Sequence, residues 1–181
     1  MDVGVNRFIQ EIIGAEKLDD GSPLYGGEYS HTLDSQCRVT LPSAWRSENA
    51  SRMVLFPGRN RDLMLYPYEM FQNFILRARP GVMANPQAQM AFAQIGRVVR
   101  EVRPDKQGRI KLEWELLQAI GVEKELLMIG SLTHIKLCAP QNWQPVEMNA
   151  VGVFLDEIQK LNDANTDRVG DLLMQLTGKG N

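Results

Sequence analysis

Short apolar runs separated by turn-forming residues recur in the middle of the chain. MVLFP and LMLYP (residues 53–57 and 63–67) flank the polar turn GRNRD, and LLMIG and HIKLCAP (126–130 and 134–140) flank SLT. Runs of this length bounded by Gly, Pro and polar residues predict strands joined as β-hairpins. The segments EYSHTL, RVTLP, VVREVR and RIKLE predict four further strands. The expected fold class is therefore α+β, mainly β.

The apolar positions change to a helical period between the two groups of strands. PYEMFQNFILRARPG has apolar residues on one helical face, and Pro80 is expected to end this helix. NPQAQMAFAQIG predicts a second helix, with Asn85 as its N-cap and Pro86 at the first helical position. Short helical segments also follow RVTLP and RIKLE. The tryptophans stand among apolar residues and are expected in the core: Trp45, Trp114 and Trp143.

An internal repeat relates two of these segments. DSQCRVTLP begins at Asp34 and DKQGRIKLE begins at Asp105, an offset of 71 residues. The offset matches the residues of one copy with those of the other, pairing Asp34 with Asp105, Gln36 with Gln107, Arg38 with Arg109, Val39 with Ile110 and Leu41 with Leu112. Both copies then continue with a short helical segment and a hairpin. The repeat predicts two duplicated half-domains of the same element order.

The recurring aspartate and arginine suit a rigid loop. An aspartate that opens a tight turn accepts hydrogen bonds from backbone N–H groups two residues on, and Gly108 supplies the positive φ that such a turn often requires. Asp34 and Asp105 are therefore expected to orient loops at hairpin tips, from which Arg38 and Arg109 project. A purely structural alternative stays open, in which the aspartate and arginine of each loop only form an ion pair that stabilises their own turn.

Composition limits the class of protein. With 181 residues and 44% hydrophobic content, the chain can bury a core and is expected to be one domain with appendages. Cys37 and Cys138, even with His31 and His134, show no metal-ligand spacing, so no metal site is expected. The absence of a signal-peptide pattern and of an 18-residue apolar run favours a cytoplasmic protein without a membrane partner. Catalytic motifs are also absent, so we expect no enzyme, no cofactor and no small-molecule substrate.

Charge is distributed unevenly along the chain. Residues 28–112 hold 13 Lys and Arg against 7 Asp and Glu, or +6, whereas residues 1–27 sum to −3 and residues 113–181 to −5. Arginine supplies 11 of those 13 cations. Because the planar arginine fork pairs bidentately with phosphate or with a guanine edge, the middle segment is a candidate for nucleic-acid binding, although a solvated basic surface would have the same composition.

The order of these features resembles the MraZ family of bacterial regulators. Two DxxxR motifs, each followed by a strand, a short helix and a hairpin, are joined by a helical connector; the first hairpin ends in LYP and the second just before Trp143. The match covers about residues 28–144. The resemblance implies a duplicated swapped-hairpin fold of the AbrB type, a double-ψ-like β-barrel with connecting and terminal helices.

The same resemblance divides the chain into five segments. They are an N-terminal helix and linker (1–27), a first AbrB-like repeat (28–74), a helical connector (75–98), a second repeat (99–144) and a C-terminal helical extension (145–181). Amphipathic stretches in both flanks predict helices that pack on the chain itself, on neighbouring subunits or on another protein.

The function that the resemblance implies is that of a DNA-binding transcriptional regulator. It would act at the promoter of the division and cell-wall gene cluster, in the nucleoid-associated part of the cytoplasm. Its subunits would form a homo-oligomeric ring that lines up the loops on direct repeats of double-stranded DNA. The expected DNA-contacting residues are Arg38 and Arg109, with Lys106, Lys111, Arg46 and Arg103 as weaker phosphate contacts.

The first motif departs from the D-S-K-G-R pattern usual in this family. Gln36 stands in place of the lysine, and Cys37 stands in place of the glycine. A left-handed backbone at Cys37 would cost about 1 kcal/mol, and the missing lysine removes a phosphate contact. The altered motif and the acidic flanks leave a second class open, a protein-interaction or scaffold module of the same fold without specific DNA binding.

Overall fold

The computed structural model describes residues 23–46 and 52–144, together with 152 and 159–160. The chain divides into a main unit, Met1–Trp143, and a second unit, Gln144–Asn181. In the second unit the described residues Gly152, Gln159 and Lys160 are helical. The helix predicted near the N-terminus and most of the C-terminal extension lie outside the described residues.

The described residues of the main unit form eight strands and three α-helices. The strands are β1 (Glu28–Thr32), β2 (Arg38–Thr40), β3 (Met53–Pro57), β4 (Asp62–Pro67), β5 (Arg100–Val102), β6 (Arg109–Lys111), β7 (Glu125–Gly130) and β8 (Ile135–Cys138). The helices are α1 (Tyr68–Ala84), α2 (Pro86–Val98) and α3 (Trp114–Ala119), and 3₁₀ turns span Ser43–Trp45 and Pro140–Asn142. The predicted α+β class is confirmed.

The two repeats exchange strands. Six strands form an antiparallel sheet in the order β1-β7-β8-β4-β3-β5, and β2 pairs with β6 in a separate two-stranded sheet. Exchanging each strand for its counterpart in the other repeat (β1 with β5, β3 with β7, β4 with β8) gives the same order read from the opposite edge. The sheet therefore has an internal two-fold relation. The sheet is open, with β1 and β5 at its edges, and does not close into the β-barrel that the resemblance implied.

A single large cluster of buried side chains lies beneath both sheets. Val39 and Ile110, from the paired strands β2 and β6, are only 2% and 0% exposed, and Trp45 is 2% exposed. The Trp45 ring packs edge-on against Tyr29, with centroids 4.8 Å apart, and its Nε1 donates to the carbonyl of Gly26. The two repeats therefore share one core and do not form independent barrels.

The core prediction holds for Trp45 but is wrong for Trp114. Trp114 is 44% exposed, because it begins a helix of six residues that buries only Leu117. Trp143 is partly buried and packs against a smaller cluster formed by Leu127, Ile129 and Cys138.

The helical connector differs from its predicted outline in two places. Pro80 lies inside α1, which continues to Ala84. The helix tolerates the proline because its ring deprives only the carbonyl of Leu76, itself 56% exposed, of an intrahelical donor. Helix α2 runs to Val98 and β5 starts at Arg100, so only the second half of the strand predicted over RVVREV (97–102) is a strand. Asn85 caps α2 as expected, accepting from the N–H groups of Gln87 and Ala88.

Truncation of matched leucines will test the shared core. Leu112, which follows β6, is 1% exposed, whereas Leu76 in α1 is 56% exposed. We expect Leu112→Ala to lower the free energy of unfolding by about 2–5 kcal/mol, since it leaves a cavity, and Leu76→Ala to lower it by less than about 1 kcal/mol. Denaturant unfolding followed by circular dichroism measures both. Equal losses in the two variants would contradict this description of the core.

Candidate nucleic-acid interface

The pairing of β2 with β6 creates a short ribbon with two unlike faces. Its register sets Arg38 opposite Lys111, Val39 opposite Ile110 and Thr40 opposite Arg109. Because directly opposed residues of an antiparallel pair share a face and neighbours along a strand alternate, the buried middle rung leaves the two outer rungs facing away from the core. We call the outward-facing residues the cationic face: Arg38, Thr40, Arg109 and Lys111.

The cationic face brings together arginines from both repeats. Arg38 and Arg109 are diagonal neighbours on the ribbon, which places their Cα atoms roughly 7–8 Å apart. Each of the two side chains is 30% exposed. The sequence predicted that both arginines would lie outside the core, and their common face follows from the exchange of strands. Thr40 was not predicted as part of the site, although its position two residues after Arg38 in an alternating strand could have indicated it.

Each arginine is preceded by a loop that an aspartate holds closed. The Asp34 Oδ1 accepts from the N–H groups of Gln36 (2.8 Å) and Arg38 (2.9 Å). The backbone N–H of Asp34 donates to the Arg38 carbonyl (3.0 Å). Asp105 makes the equivalent contacts with Gln107 and Arg109 in the second repeat. Both aspartates thus close their own loops through hydrogen bonds with the backbone. The loops are not hairpin tips, however, because β1 and β2 belong to different sheets, as do β5 and β6.

An ion pair also links the aspartate to the arginine in each loop. The Arg38 Nε donates to Asp34 Oδ2 at 2.7 Å, and the Arg109 Nε donates to Asp105 Oδ2 at 2.8 Å. The structural alternative considered from the sequence is therefore present in the molecule. The ion pair does not use every donor of the guanidinium, which has five N–H groups. Arg38 engages Nε, and Arg109 engages Nε and also brings Nη2 within 2.8 Å of Asp105 Oδ2. The aspartate fixes the direction of the fork and leaves terminal donors for another partner.

Hydrogen bonding shifts the acidity of both loop carboxyls. The pKa of Asp34 is lowered from 3.8, mainly by the backbone N–H of Arg38. The pKa of Asp105 is lowered from 3.8 to about 2, mainly by the backbone N–H of Arg109 and then by the Arg109 side chain. Both carboxylates are therefore charged at neutral pH, and they repel phosphate while they orient the arginines.

The residue before each arginine has a left-handed backbone. Gly108 has φ +77° and Cys37 has φ +56°. The glycine of the second loop is thus required by the turn, and the cysteine of the first loop adopts a conformation that costs an L-residue roughly 1–2 kcal/mol. The sequence predicted a steric penalty at Cys37 if its backbone were left-handed, and Cys37 does have a left-handed backbone.

The remaining predicted contacts are placed unequally. Lys106 is exposed in the second loop and Lys111 lies on the cationic face. Arg46 lies over Gly108, and its Nε donates to the Leu41 carbonyl at 2.8 Å. Arg103 is separated from this group by its bond to Glu101, where the Nε–Oε1 distance is 2.6 Å.

Glu101 holds Arg103 in a surface network. The carboxylate also accepts two bonds from Arg52, and the hydrogen bonds from Arg52 and Arg103 lower the pKa of Glu101 to about 2. Arg103 keeps a 65% exposed side chain. A phosphate would have to compete with Glu101 for the Nε of this arginine.

Among the described residues no group of three or more His, Cys, Asp and Glu side chains could hold a metal ion. Within the same part of the chain, no helix has the length and apolar character needed to cross a membrane.

Fold and site together define an internally duplicated α+β protein whose exchanged halves build one cationic β-ribbon. A family model described as "MraZ protein, putative antitoxin-like" matches residues 24–92. The chain is 32% identical over 123 residues to the transcriptional regulator MraZ of Lachnoclostridium phytofermentans, covering 67% of this chain and 85% of the relative. It is 30% identical to the proteins of the same name from a Thermoanaerobacter species and Nocardia farcinica. These alignments cover 77% and 67% of this chain, and 97% and 85% of those relatives. The chain belongs to the MraZ family.

Substitutions at residues 37 and 108 will test the left-handed backbone of the two loops. Cys37→Gly removes a steric penalty of roughly 1–2 kcal/mol but adds freedom to the unfolded chain, worth roughly 0.4–1 kcal/mol. We expect it to raise the free energy of unfolding by up to about 1 kcal/mol. Gly108→Ala should lower it by at least about 1 kcal/mol. Denaturant titration measures both values, and a stabilised Gly108→Ala protein would contradict the assigned backbone.

Acid titration will test the second loop. Because the pKa of Asp105 is lower in the folded chain, its contribution to stability is complete above pH 3.8 and is lost as the pH falls toward about 2. Carboxyl carbon NMR should therefore report a midpoint near 2 for Asp105. In Asp105→Asn protein the fall in stability across this window should be smaller. An unshifted midpoint near 3.8 would show that the loop hydrogen bonds do not persist in solution.

Proposed function

We propose that this protein is a DNA-binding transcriptional regulator that contacts double-stranded DNA through the cationic face of the β2–β6 ribbon. The observation that carries the proposal is the register of the ribbon, which sets Arg38 opposite Lys111 and Thr40 opposite Arg109 over a buried middle rung. Three cations thereby share one surface that is backed by the core. Relatives named transcriptional regulator MraZ support the same function.

The dimensions of the ribbon suit the major groove of DNA. The groove is roughly 12 Å wide and admits a two-stranded β-ribbon. Arg38 and Arg109 have planar forks oriented by Asp34 and Asp105, which favours bidentate contacts with guanine edges or phosphates. Lys111 and Lys106 are the proposed phosphate contacts beside them, whereas Arg46 lies over Gly108 and acts on the second loop, and Arg103 contributes only where it leaves Glu101.

The small size of the ribbon favours an assembly of several subunits. Three residues in each strand can make few contacts, and every phosphate contact is weakened by salt. Tethering several copies makes the later contacts effectively intramolecular and multiplies the affinity. We therefore propose a ring-like homo-oligomer that binds direct repeats in promoter DNA, in the nucleoid region of the cytoplasm. The division and cell-wall gene cluster is the proposed target, and neither an enzymatic reaction nor a cofactor forms part of the proposal.

A charge-matched pair of double variants will test the site. Arg38→Ala with Arg109→Ala removes both forks, each worth about 1–3 kcal/mol, so affinity should fall at least roughly 30-fold. Arg77→Ala with Arg79→Ala removes the same charge from exposed positions of α1 and should change affinity little. Gel-shift titration with the DNA directly upstream of the protein's own gene measures both, after circular dichroism has shown that both variants fold.

The same titration separates the regulator from the scaffold alternative. Apolar side chains exposed on α1 and α2, such as Phe74 (54%) and Met90 (63%), are the observation that favours protein interaction. A scaffold would give no shift of the upstream DNA even at low salt. If the parent shifts the DNA and the ribbon variant does so equally well, the regulator would stand but the ribbon would not be its DNA-binding site.

A further inference from the structure

The two loops beside the cationic face are supported differently, although their hydrogen bonds are alike. In the second loop, the Arg46 side chain lies directly over Gly108. A Cβ added to this glycine would come within 2.5 Å of the Arg46 Nε and 2.7 Å of its Cδ and Cζ. Gly108 is therefore favoured by its φ of +77°, and a side chain at this position would displace the end of the Arg46 side chain.

Arg46 also connects the first repeat to the loop of the second. Its Nε donates to the Leu41 carbonyl at 2.8 Å, and the N–H of Leu41 donates to the carbonyl of Gly108 at 2.9 Å. The guanidinium, the end of β2 and the second loop thus form one continuous set of contacts. Arg46 is exposed on its other side, so it can support the loop without being part of the core.

The first loop is built differently, since Cys37 is partly buried and packs against the core. The offset of 71 residues that relates the repeats places Leu117 at the position of Arg46, and Leu117 is fully buried at 0% exposure. Cys37 stands in place of Gly108 and holds a left-handed φ of +56°. Ser35 stands in place of Lys106. The first loop is therefore more strained, has a leucine at the position that matches Arg46 and carries one cation fewer.

We propose that the repeats contribute unequally to DNA binding, with the second loop and Arg109 supplying the greater part of the affinity, and with Arg46 as the positioning residue that makes this loop the stronger one. This inference rests on the proposed function. It implies that each subunit binds DNA with a fixed polarity, because its two-fold-related loops are chemically distinct. A contact with a fixed direction along the DNA suits direct repeats better than palindromes, whose half-sites are related by a two-fold axis.

Single variants test the inequality. With the duplex directly upstream of the protein's own gene as the probe, Arg109→Ala should weaken binding at least threefold more than Arg38→Ala does. Equal losses, or a larger loss for Arg38→Ala, would overturn the inference and leave the proposed function intact. If neither variant nor the double variant lost affinity, the ribbon as the DNA-binding site would fail together with the inference.

A double-mutant cycle tests the role of Arg46. Arg46→Ala should weaken binding at least threefold in the parent and in the Arg38→Ala protein, but less than 1.5-fold in the Arg109→Ala protein, because its effect passes through the second loop. Arg46→Lys keeps the charge but loses the planar fork over Gly108, so it should not restore affinity. Equal effects in both backgrounds, or full rescue by lysine, would show that Arg46 acts only as a general charge and would overturn its positioning role.

Discussion

The three-rung pairing of β2 with β6 is the contact on which the arrangement of the site depends. It joins strands from different repeats, buries Val39 against Ile110 and turns the flanking rungs outward. Burial of the middle rung fixes the register, because a slip by one residue would move charged side chains into the core. The position of the two arginines on one face is thus enforced by the hydrophobic core beneath them.

The loops add direction to this placement. Each aspartate uses one oxygen to close its turn and the other to hold the arginine Nε. A fork that is already oriented loses less side-chain entropy on binding a phosphate or a base edge than a free side chain would. Cys37 has the same left-handed backbone as Gly108 but at a steric cost, so the two loops share their geometry and differ in their chemistry.

Local signals in the sequence predicted the elements better than their partners. The aspartate and arginine of each loop are close in sequence, so their turn could be inferred together with the strand that follows. The exchange of β1 and β5 between repeats depends on contacts about 100 and 50 residues apart, which no periodicity records. The contact between Arg46 and Gly108 could likewise not be predicted from the sequence, because Arg46 belongs to no recognisable motif. Trp114 was misplaced because hydrophobic composition does not reveal that a short helix has one buried residue.

The measurement that tests the account most directly is an NMR titration of ¹⁵N-labelled protein with the DNA upstream of its own gene. The largest changes in amide shift should fall on residues 34–41 and 105–112, which form both loops and the ribbon, and the shifts at 105–109 should exceed those at 34–38. Changes concentrated in α1 and α2, with the ribbon unaffected, would contradict the claim that strand exchange between the repeats builds the DNA-binding surface.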